Sequence, residues 1–178
     1  VNLSTIDNLD YVTCTDWGSL ENTGLTSLDF SSKLTRFAGA SNSLKLCSID
    51  LSLCSGLSHV SGCSGCPSLT SVKLNDNITE VREEAFANCT SLSSINLDKV
   101  LYIGAEAFQN TGFTSVDLYT TTLGERSFKA CSKLESVTFN TDLSTVDSSA
   151  FLDCSKLKQV TYGKDIITPL SQDYLKDL

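Results

Sequence analysis

The sequence predicts a single α/β solenoid, curved and right-handed, in which each coil contributes one short parallel strand and a short helical or irregular back segment. Two columns of apolar residues that recur in phase predict this fold. The opening column, spaced by 21 or 23 residues, is Leu25, Leu46, Leu69, Leu92, Phe113, Leu134 and Leu157. The second column is Phe86, Phe108, Phe128 and Phe151. Repeats of this length are typical of stacked coils that share one continuous core.

The two parts of each coil follow from their local patterns. In L-C-S-I-D-L, residues 46–51, inward apolar residues alternate with polar ones, which is the period-two pattern of a short strand. The back segment lacks this alternation. In R-E-E-A-F-A-N-C, residues 82–89, Glu and Ala predominate, and these residues favour one or two helical turns.

The repeat strings identify a family resemblance. A-F-A-N-C-T-S-L-S-S-I-N-L (85–97) and A-F-L-D-C-S-K-L-K-Q-V-T-Y (150–162) resemble the BspA-like leucine-rich repeats of bacterial and protist surface proteins. The resemblance is close from about Leu69 to Tyr162. It is weaker before Pro67, where Cys63 takes the Phe column and Cys66 takes the Cys column. The resemblance implies a leucine-rich-repeat solenoid with an extracellular adhesion or recognition role, and it implies no reaction.

The chain is expected to be one domain, residues 1–178, because its length fits a single solenoid. Residues 1–24 are interpreted as a degenerate N-terminal coil or cap, in which Leu20 stands where Phe108 stands in its own coil. Residues 25–162 hold the repeats of 21–23 residues. Residues 163–178 are expected to form a C-terminal cap or a connection to more protein, since a solenoid must shield its open apolar ends.

Composition and charge exclude several classes of partner. The chain carries 21 acidic and 13 basic residues, a net charge of −8, which argues against nucleic acid and against anionic membrane surfaces. It contains no apolar run long enough to span a membrane, so we expect no membrane insertion by this segment. Because the chain starts at Val1 and contains no Met, we expect a processed product. The resemblance implies an extracellular or cell-surface location.

The eight cysteines admit three interpretations. Cys66, Cys89, Cys131 and Cys154 occupy one repeat column, where a free thiol would behave as a small buried hydrophobe. Disulfides between neighbouring coils, Cys66 with Cys89 and Cys131 with Cys154, are the alternative. A weaker alternative is a zinc site, for which the candidate ligands are Cys47, Cys54, Cys63 and Cys66, with His59. The chain has one C-x-x-C pair, whereas structural zinc sites usually need two, so no cofactor is expected.

Catalysis finds little support in the sequence. The single histidine, His59, lies in a Gly/Ser-rich stretch where a solvated side chain is the default. No phosphate-binding Gly-rich loop, G-x-S-x-G or H-E-x-x-H motif occurs, and acidic residues follow the repeat rather than forming pairs. The sequence therefore predicts a protein that is not an enzyme.

The outward side of the strands is the predicted functional surface. Solenoids present an extended concave face to partners, and charged and aromatic side chains usually carry recognition. A plain solvated sheet face remains the alternative interpretation. The candidate binding residues on this face are Asp29, Asp50, Lys73, Asn96, Asp117, Tyr119 and Thr138. By resemblance, the expected partner is a protein, such as a host extracellular-matrix protein or a cell-surface glycoprotein.

Two other functions stay open at this level. The chain could be a structural spacer that holds another domain away from a cell surface, or the Cys/His set could form a metal-dependent module.

A further feature of the sequence concerns modification rather than binding. Asn77-Ile-Thr fits the N-glycosylation sequon and follows a strand, which makes Asn77 a candidate glycosylation acceptor.

Overall fold

The structure, a computed structural model, describes residues 11–13, 20, 24–30, 32–162 and 165–167. Within these ranges, each coil contains two short strands joined by turns. In chain order the strands are β1 (Tyr11–Thr13), β2 (Ser27–Asp29), β3 (Arg36–Ala38), β4 (Ser48–Asp50), β5 (His59–Val60), β6 (Ser71–Lys73), β7 (Glu80–Val81), β8 (Ser94–Ile95), β9 (Tyr102–Ile103), β10 (Ser115–Leu118), β11 (Thr122–Leu123), β12 (Ser136–Phe139), β13 (Thr145–Val146), β14 (Gln159–Tyr162) and β15 (Asp165–Ile167).

The first strand of successive coils stacks into two parallel sheets. The first front sheet has the order β2-β4-β6-β8, and the second front sheet has the order β10-β12-β14-β15. All pairs are parallel except β14 with β15, which is antiparallel. We call the solvent side of these two sheets the front face. The predicted parallel strand of each coil is therefore confirmed.

The second strand of each coil forms a further parallel sheet that the sequence did not predict. This lateral sheet has the order β13-β11-β9-β7-β5, and β1 pairs with β3 in a separate two-stranded sheet. Most lateral strands are two residues long. A run of two residues is too short to show an alternating pattern, which explains why no sequence signal indicates this sheet.

The sequence predicted a helical or irregular back segment, and its helical form is not confirmed, because the described residues contain no helix and residues 83–88 form turns. The physical reason lies in the backbone. Glu84 and Asn88 have φ values of 51° and 62°, and Glu106 and Asn110 in the next coil have 53° and 54°. Two left-handed residues, four positions apart in each of these back segments, interrupt a right-handed helix. The high helix propensity of Glu and Ala is therefore overridden.

Hydrogen bonds in the back segment run between coils. The backbone N–H groups of Glu84, Phe86 and Asn88 donate to carbonyl oxygens of the following coil, at 2.9, 2.8 and 2.8 Å. In a helix the same groups would be bonded within their own segment. Each coil therefore needs its neighbour to satisfy its backbone, and the neighbour fixes its register.

This register can be followed into the irregular early coils. The N–H of Cys63 donates to Ala85 O at 2.8 Å, just as the N–H of Phe86 donates to Ala107 O. Cys63 therefore lies in the Phe column, as the sequence predicts. In the first coils, Ala40 and Leu20 make the matching bonds to Gly62 O and Gly39 O, both at 2.9 Å, although most of residues 1–24 lie outside the described ranges.

The core is a stack of aromatic rings flanked by aliphatic columns. Phe86, Phe108, Phe128 and Phe151 stack with centroid separations of 5.5, 5.2 and 5.4 Å, and all are buried. Phe113 meets Phe108 edge to face at 5.6 Å. Rings at these separations gain dispersion and electrostatic energy in addition to the hydrophobic effect. The aromatic column is thus the main packing element of the later coils.

The cysteine column lies buried beside this stack and donates hydrogen bonds. The thiols of Cys66, Cys89, Cys131 and Cys154 each reach a backbone carbonyl oxygen of the preceding coil at 3.1–3.2 Å. Ser43 occupies the equivalent position in an earlier coil, and its hydroxyl donates to Leu20 O at 2.9 Å. The column therefore needs a small side chain that carries a donor, because a buried carbonyl without a partner is costly.

The described cysteines are free thiols, which favours the buried-thiol interpretation over disulfides. Cys47 is exposed, and the other described cysteines are buried. The hydrogen bond with the Cys66 thiol, together with burial, raises the pKa of Cys89 above its ordinary value. Burial and the nearby Asp50 charge raise the pKa of Cys54 to about 11. Since the thiolate is the reactive form, burial and a raised pKa make Cys54 and Cys89 poor nucleophiles in the folded chain.

Replacing Phe108 by Ala should lower the free energy of unfolding by about 3–5 kcal/mol, because it removes a buried ring from the centre of the stack. Urea unfolding followed by circular dichroism measures this change. Tyr102→Ala, at a ring that is 43 % exposed, is the control and should change stability by no more than about 0.5 kcal/mol. A loss below about 1 kcal/mol for Phe108→Ala would contradict a close-packed aromatic column.

Cys89→Ala should destabilise the protein by about 1–3 kcal/mol, because the carbonyl of Cys63 loses its buried donor. Cys89→Ser keeps a donor of similar size and should cost clearly less than Cys89→Ala. Denaturant unfolding of the two variants side by side measures the difference. Equal losses, or a larger loss for Ser, would show that the column requires apolar volume rather than a donor.

Alkylation of the native protein should modify Cys47 and spare the buried cysteines: Cys54, Cys63, Cys66, Cys89, Cys131 and Cys154. Peptide mapping by mass spectrometry identifies the modified residues. Denaturation without reductant is the matched condition, in which all of these cysteines should react. A buried pair that stays unmodified in denaturant would reveal a disulfide and overturn the free-thiol assignment.

Candidate functional site

The front face places the predicted binding residues in two groups. On the first front sheet, Asp29 is in register with Asp50, and Asp50 with Lys73. On the second front sheet, Asp117 is in register with Thr138. Neighbours in register on parallel strands lie within about 5 Å of each other. The structure thus brings together three residues on one sheet and two on the other.

In the first group, the carboxylate of Asp50 is held in place by contacts with its neighbours. Its Oδ1 accepts the backbone N–H of Ser52 at 2.9 Å and also the Ser52 hydroxyl, while Lys73 Nζ lies 3.4 Å from Oδ2. Partial burial would raise the pKa of Asp50, but the hydrogen bonds from Ser52 and the Lys73 charge outweigh it and hold the pKa below its usual value. Asp50 is therefore a fixed anion whose neighbour, Lys73, is largely exposed.

The amide of Asn96 makes contacts within the protein that the sequence did not indicate. Its amide turns toward the neighbouring strand, where Oδ1 accepts the backbone N–H of Leu74 at 2.8 Å and Nδ2 donates to Leu74 O at 3.2 Å. The side chain thus replaces the main-chain rung that would otherwise join β6 to its neighbour at this point. Both polar atoms of the amide have partners within the protein, so Asn96 has a structural role, and its binding role stays a prediction.

The two front sheets are separated by a cleft next to Asn96. Within the described residues, no strand pairing joins β8 to β10. The gap has a volume of about 300 Å³ and is lined by Ser93, Ser94, Ile95, Asn96, Leu97, Asp98, Phe113, Ser115, Val116, Asp117 and Tyr119. The cleft is therefore lined by three of the predicted binding residues: Asn96, Asp117 and Tyr119.

The cleft is narrow where the strands begin. A Cβ at Gly112 would lie 2.7 Å from Thr90 O and 3.1 Å from Leu92 O. Glycine is required here, because any side chain would collide with the backbone of the preceding coil. The two coils thus touch at Gly112, shortly before β10 begins.

The exposed side chains at the open end give the cleft its chemistry. Tyr119 is 37 % exposed, and Asp117 is exposed. Asp98 is also exposed and pairs with Lys99 at 3.6 Å. Asp98, Ser94 and Ser115 were missed as site residues, because nothing in the sequence shows that the sheet opens beside them. Their only signal was an outward or adjacent position in the repeat.

The weak zinc alternative is not supported by the geometry. Cys54, Cys63 and Cys66 are buried in the core, whereas Cys47 is exposed. Among the described residues, no three His, Cys, Asp or Glu side chains come close enough together to hold a metal ion. His59 lies on the lateral sheet, where burial and the nearby Arg82 and Arg36 charges lower its pKa and favour the neutral ring.

Asn77 lies in the turn that follows β6, with its side chain exposed. Its Nδ2, the atom that would carry a glycan, donates to Ser55 O at 2.8 Å. The backbone N–H of Asn77 is held by Asn75 Oδ1 at 2.7 Å. Glycosylation of Asn77 stays a prediction. A glycosylated amide would keep one hydrogen on Nδ2, which could still donate to Ser55 O.

Among the residues that the structure describes, no helix could span a membrane.

Comparison with solved structures places the chain among leucine-rich repeat proteins. A leucine-rich repeat protein from Bacteroides ovatus is 28 % identical, with a TM-score of 0.63, over 78 % of this chain and 41 % of that one. A leucine rich cell surface protein from Faecalibacterium prausnitzii is 18 % identical, with a TM-score of 0.57, over 81 % of this chain and 49 % of that one, and it supports the fold alone. The chain spans less than half the length of either protein.

Comparison with sequences gives the family. No curated protein matches the chain significantly. The model of the BspA type leucine rich repeat region matches residues 60–175 in six copies, about two thirds of the chain. The match begins within the irregular early coils, where the Phe column is occupied by Cys63, and it includes all the later repeats. The chain therefore belongs to the BspA type leucine-rich repeat family.

Proposed function

We propose that this chain is a non-enzymatic recognition module that binds a protein partner on its front face. The observation that carries the proposal is the regular display of exposed polar and charged side chains along stacked parallel strands. Asp29, Asp50, Lys73, Asp117 and Thr138 occupy equivalent outward positions at the register spacing of parallel strands. A surface of this kind can match a partner over many coils without any one deep pocket.

Membership of the family supports a proposal for the location of the chain and for the class of its partner. We propose an extracellular or cell-surface location, which agrees with the description of the Faecalibacterium prausnitzii neighbour as a cell surface protein. The partner is a host extracellular-matrix protein or a cell-surface glycoprotein. The front face carries more carboxylates than cations, and the chain has a net charge of −8, so complementarity favours a partner surface with basic residues.

The spacer function makes the opposite prediction. A spacer needs a stiff stack of coils but no ligand, so its front face would tolerate substitution without functional consequence. The arrangement in this structure favours recognition, because the outward positions hold a fixed anion at Asp50 and an exposed ring at Tyr119. Neither feature is needed for stiffness, which comes from the bonds between coils and from the core.

Replacing Asp29, Lys73, Asp117 and Thr138 together by Ala should weaken partner binding by at least tenfold, because side-chain contacts on one face are removed at four positions. Surface plasmon resonance against a panel of extracellular-matrix and cell-surface proteins measures the affinity. These side chains are exposed or partly exposed, so the thermal midpoint should change little.

The matched control carries the same number of substitutions on the lateral sheet: Glu80, Tyr102, Thr122 and Thr145 changed to Ala. Their side chains also point outward from parallel strands. The control should bind as tightly as the wild-type chain. If both variants lost affinity equally, the result would not support a binding site on the front face. If the wild-type chain bound no protein of the panel, the spacer function would be favoured.

A further inference from the structure

We infer that the cleft between the two front sheets binds an uncharged, polyhydroxylated ligand, a pyranose unit of a neutral glycan carried by the partner. This inference rests on the proposed function, because it takes the front face as the recognition surface and assigns a ligand class to one part of it.

The walls of the cleft are strand edges that lack a neighbour. On β10, the carbonyl oxygens of Thr114 and Leu118 accept bonds from the following coil, both at 2.8 Å. Because main-chain groups of alternate residues point to opposite edges, those of Ser115 and Asp117 face β8. No pairing with β8 satisfies them within the described residues. The cleft therefore presents both N–H donors and C=O acceptors.

The close contact at Gly112 disfavours an inserted peptide strand between β8 and β10. An added strand between β8 and β10 would need about 10 Å between them, twice the ordinary strand spacing. The contact of Gly112 with the backbone at Thr90 and Leu92 holds the coils together at one end of the gap. A volume of about 300 Å³ is also at the lower limit of ligand pockets and suits a compact ligand.

The chemistry of the walls selects hydroxyl groups. A hydroxyl both donates and accepts, so it can pair with the main-chain groups and with the side chains of Ser94 and Ser115. A guanidinium or an ammonium group only donates and would leave the N–H groups unpaired. The carboxylates of Asp98 and Asp117 line the same cleft and repel anions. An uncharged ligand with several hydroxyls satisfies all of these conditions.

The mouth of the cleft supplies the remaining contact that a sugar ring requires. Tyr119 is 37 % exposed and lines the cleft beside Asp117. An aromatic ring combines an apolar face with a polar tip, so it can pack against the C–H face of a pyranose while leaving the hydroxyls to the polar walls. The carboxylate of Asp117 forms no ion pair within the described residues and can accept ligand hydroxyls.

The test uses the full chain and two double variants. Asp117→Ala with Tyr119→Ala alters the cleft, and Glu80→Ala with Tyr102→Ala, which also removes one carboxylate and one aromatic ring, is the matched control on the lateral sheet. An array of neutral, sialylated and sulfated oligosaccharides supplies the probes. The wild-type chain and the control should bind at least one neutral oligosaccharide, and the cleft variant should bind it at least about tenfold more weakly.

On the array, any of three results would overturn the inference: no neutral oligosaccharide bound, a preference for the anionic ones, or an equal loss in the control variant. Glycoproteins probed before and after enzymatic deglycosylation separate a free sugar from a glycan on a partner. If deglycosylation abolishes capture, the glycan is the ligand. If capture survives deglycosylation, the glycan inference fails while the protein-binding role stands. Sugar binding without capture of any protein would instead overturn the protein-binding role.

Discussion

The structure depends on one constraint, which is that each back segment satisfies its backbone through the next coil. Glu84, Phe86 and Asn88 donate to the coil that follows, and left-handed residues prevent the segment from closing its own helical bonds. A coil cannot therefore complete its hydrogen bonds alone. This makes the stack cooperative between neighbours and fixes the register in which every side-chain column forms.

Once the register is fixed, all side chains of a column share one environment, which limits the residue types that the column accepts. The Phe column fills the centre, and Phe108 packs between the rings above and below it. Side chains of the cysteine column donate to backbone carbonyl oxygens, so Ser43 and Thr111 can stand where other coils have a thiol. The shared property is therefore a small donor. This explains why serine, threonine and cysteine share a position that is buried in the described coils.

The front face shows what happens where the regular pattern fails. At Asn96 a side-chain amide takes the place of a main-chain rung, and at Gly112 the next coil approaches too closely for any side chain. Between these two points the strand ladder opens into a cleft. The opening exposes main-chain groups that regular coils hide, and it places them beside Asp117 and Tyr119. An irregularity in the repeat thus creates the most distinctive surface of the chain.

The sequence by itself determined the period, the inward columns, the parallel front strands and the family, because burial repeated in every coil leaves a readable pattern in the chain. It placed Cys63 in the Phe column and the candidate residues on one face for the same reason. Only the tertiary structure decided the turns of the back segment, the lateral strands and the cleft. Local propensity at Glu84 and Ala85 favours a helix, and bonds to a neighbouring coil override it. The partner of the Asn96 amide is likewise set by a contact between coils, which local sequence does not encode.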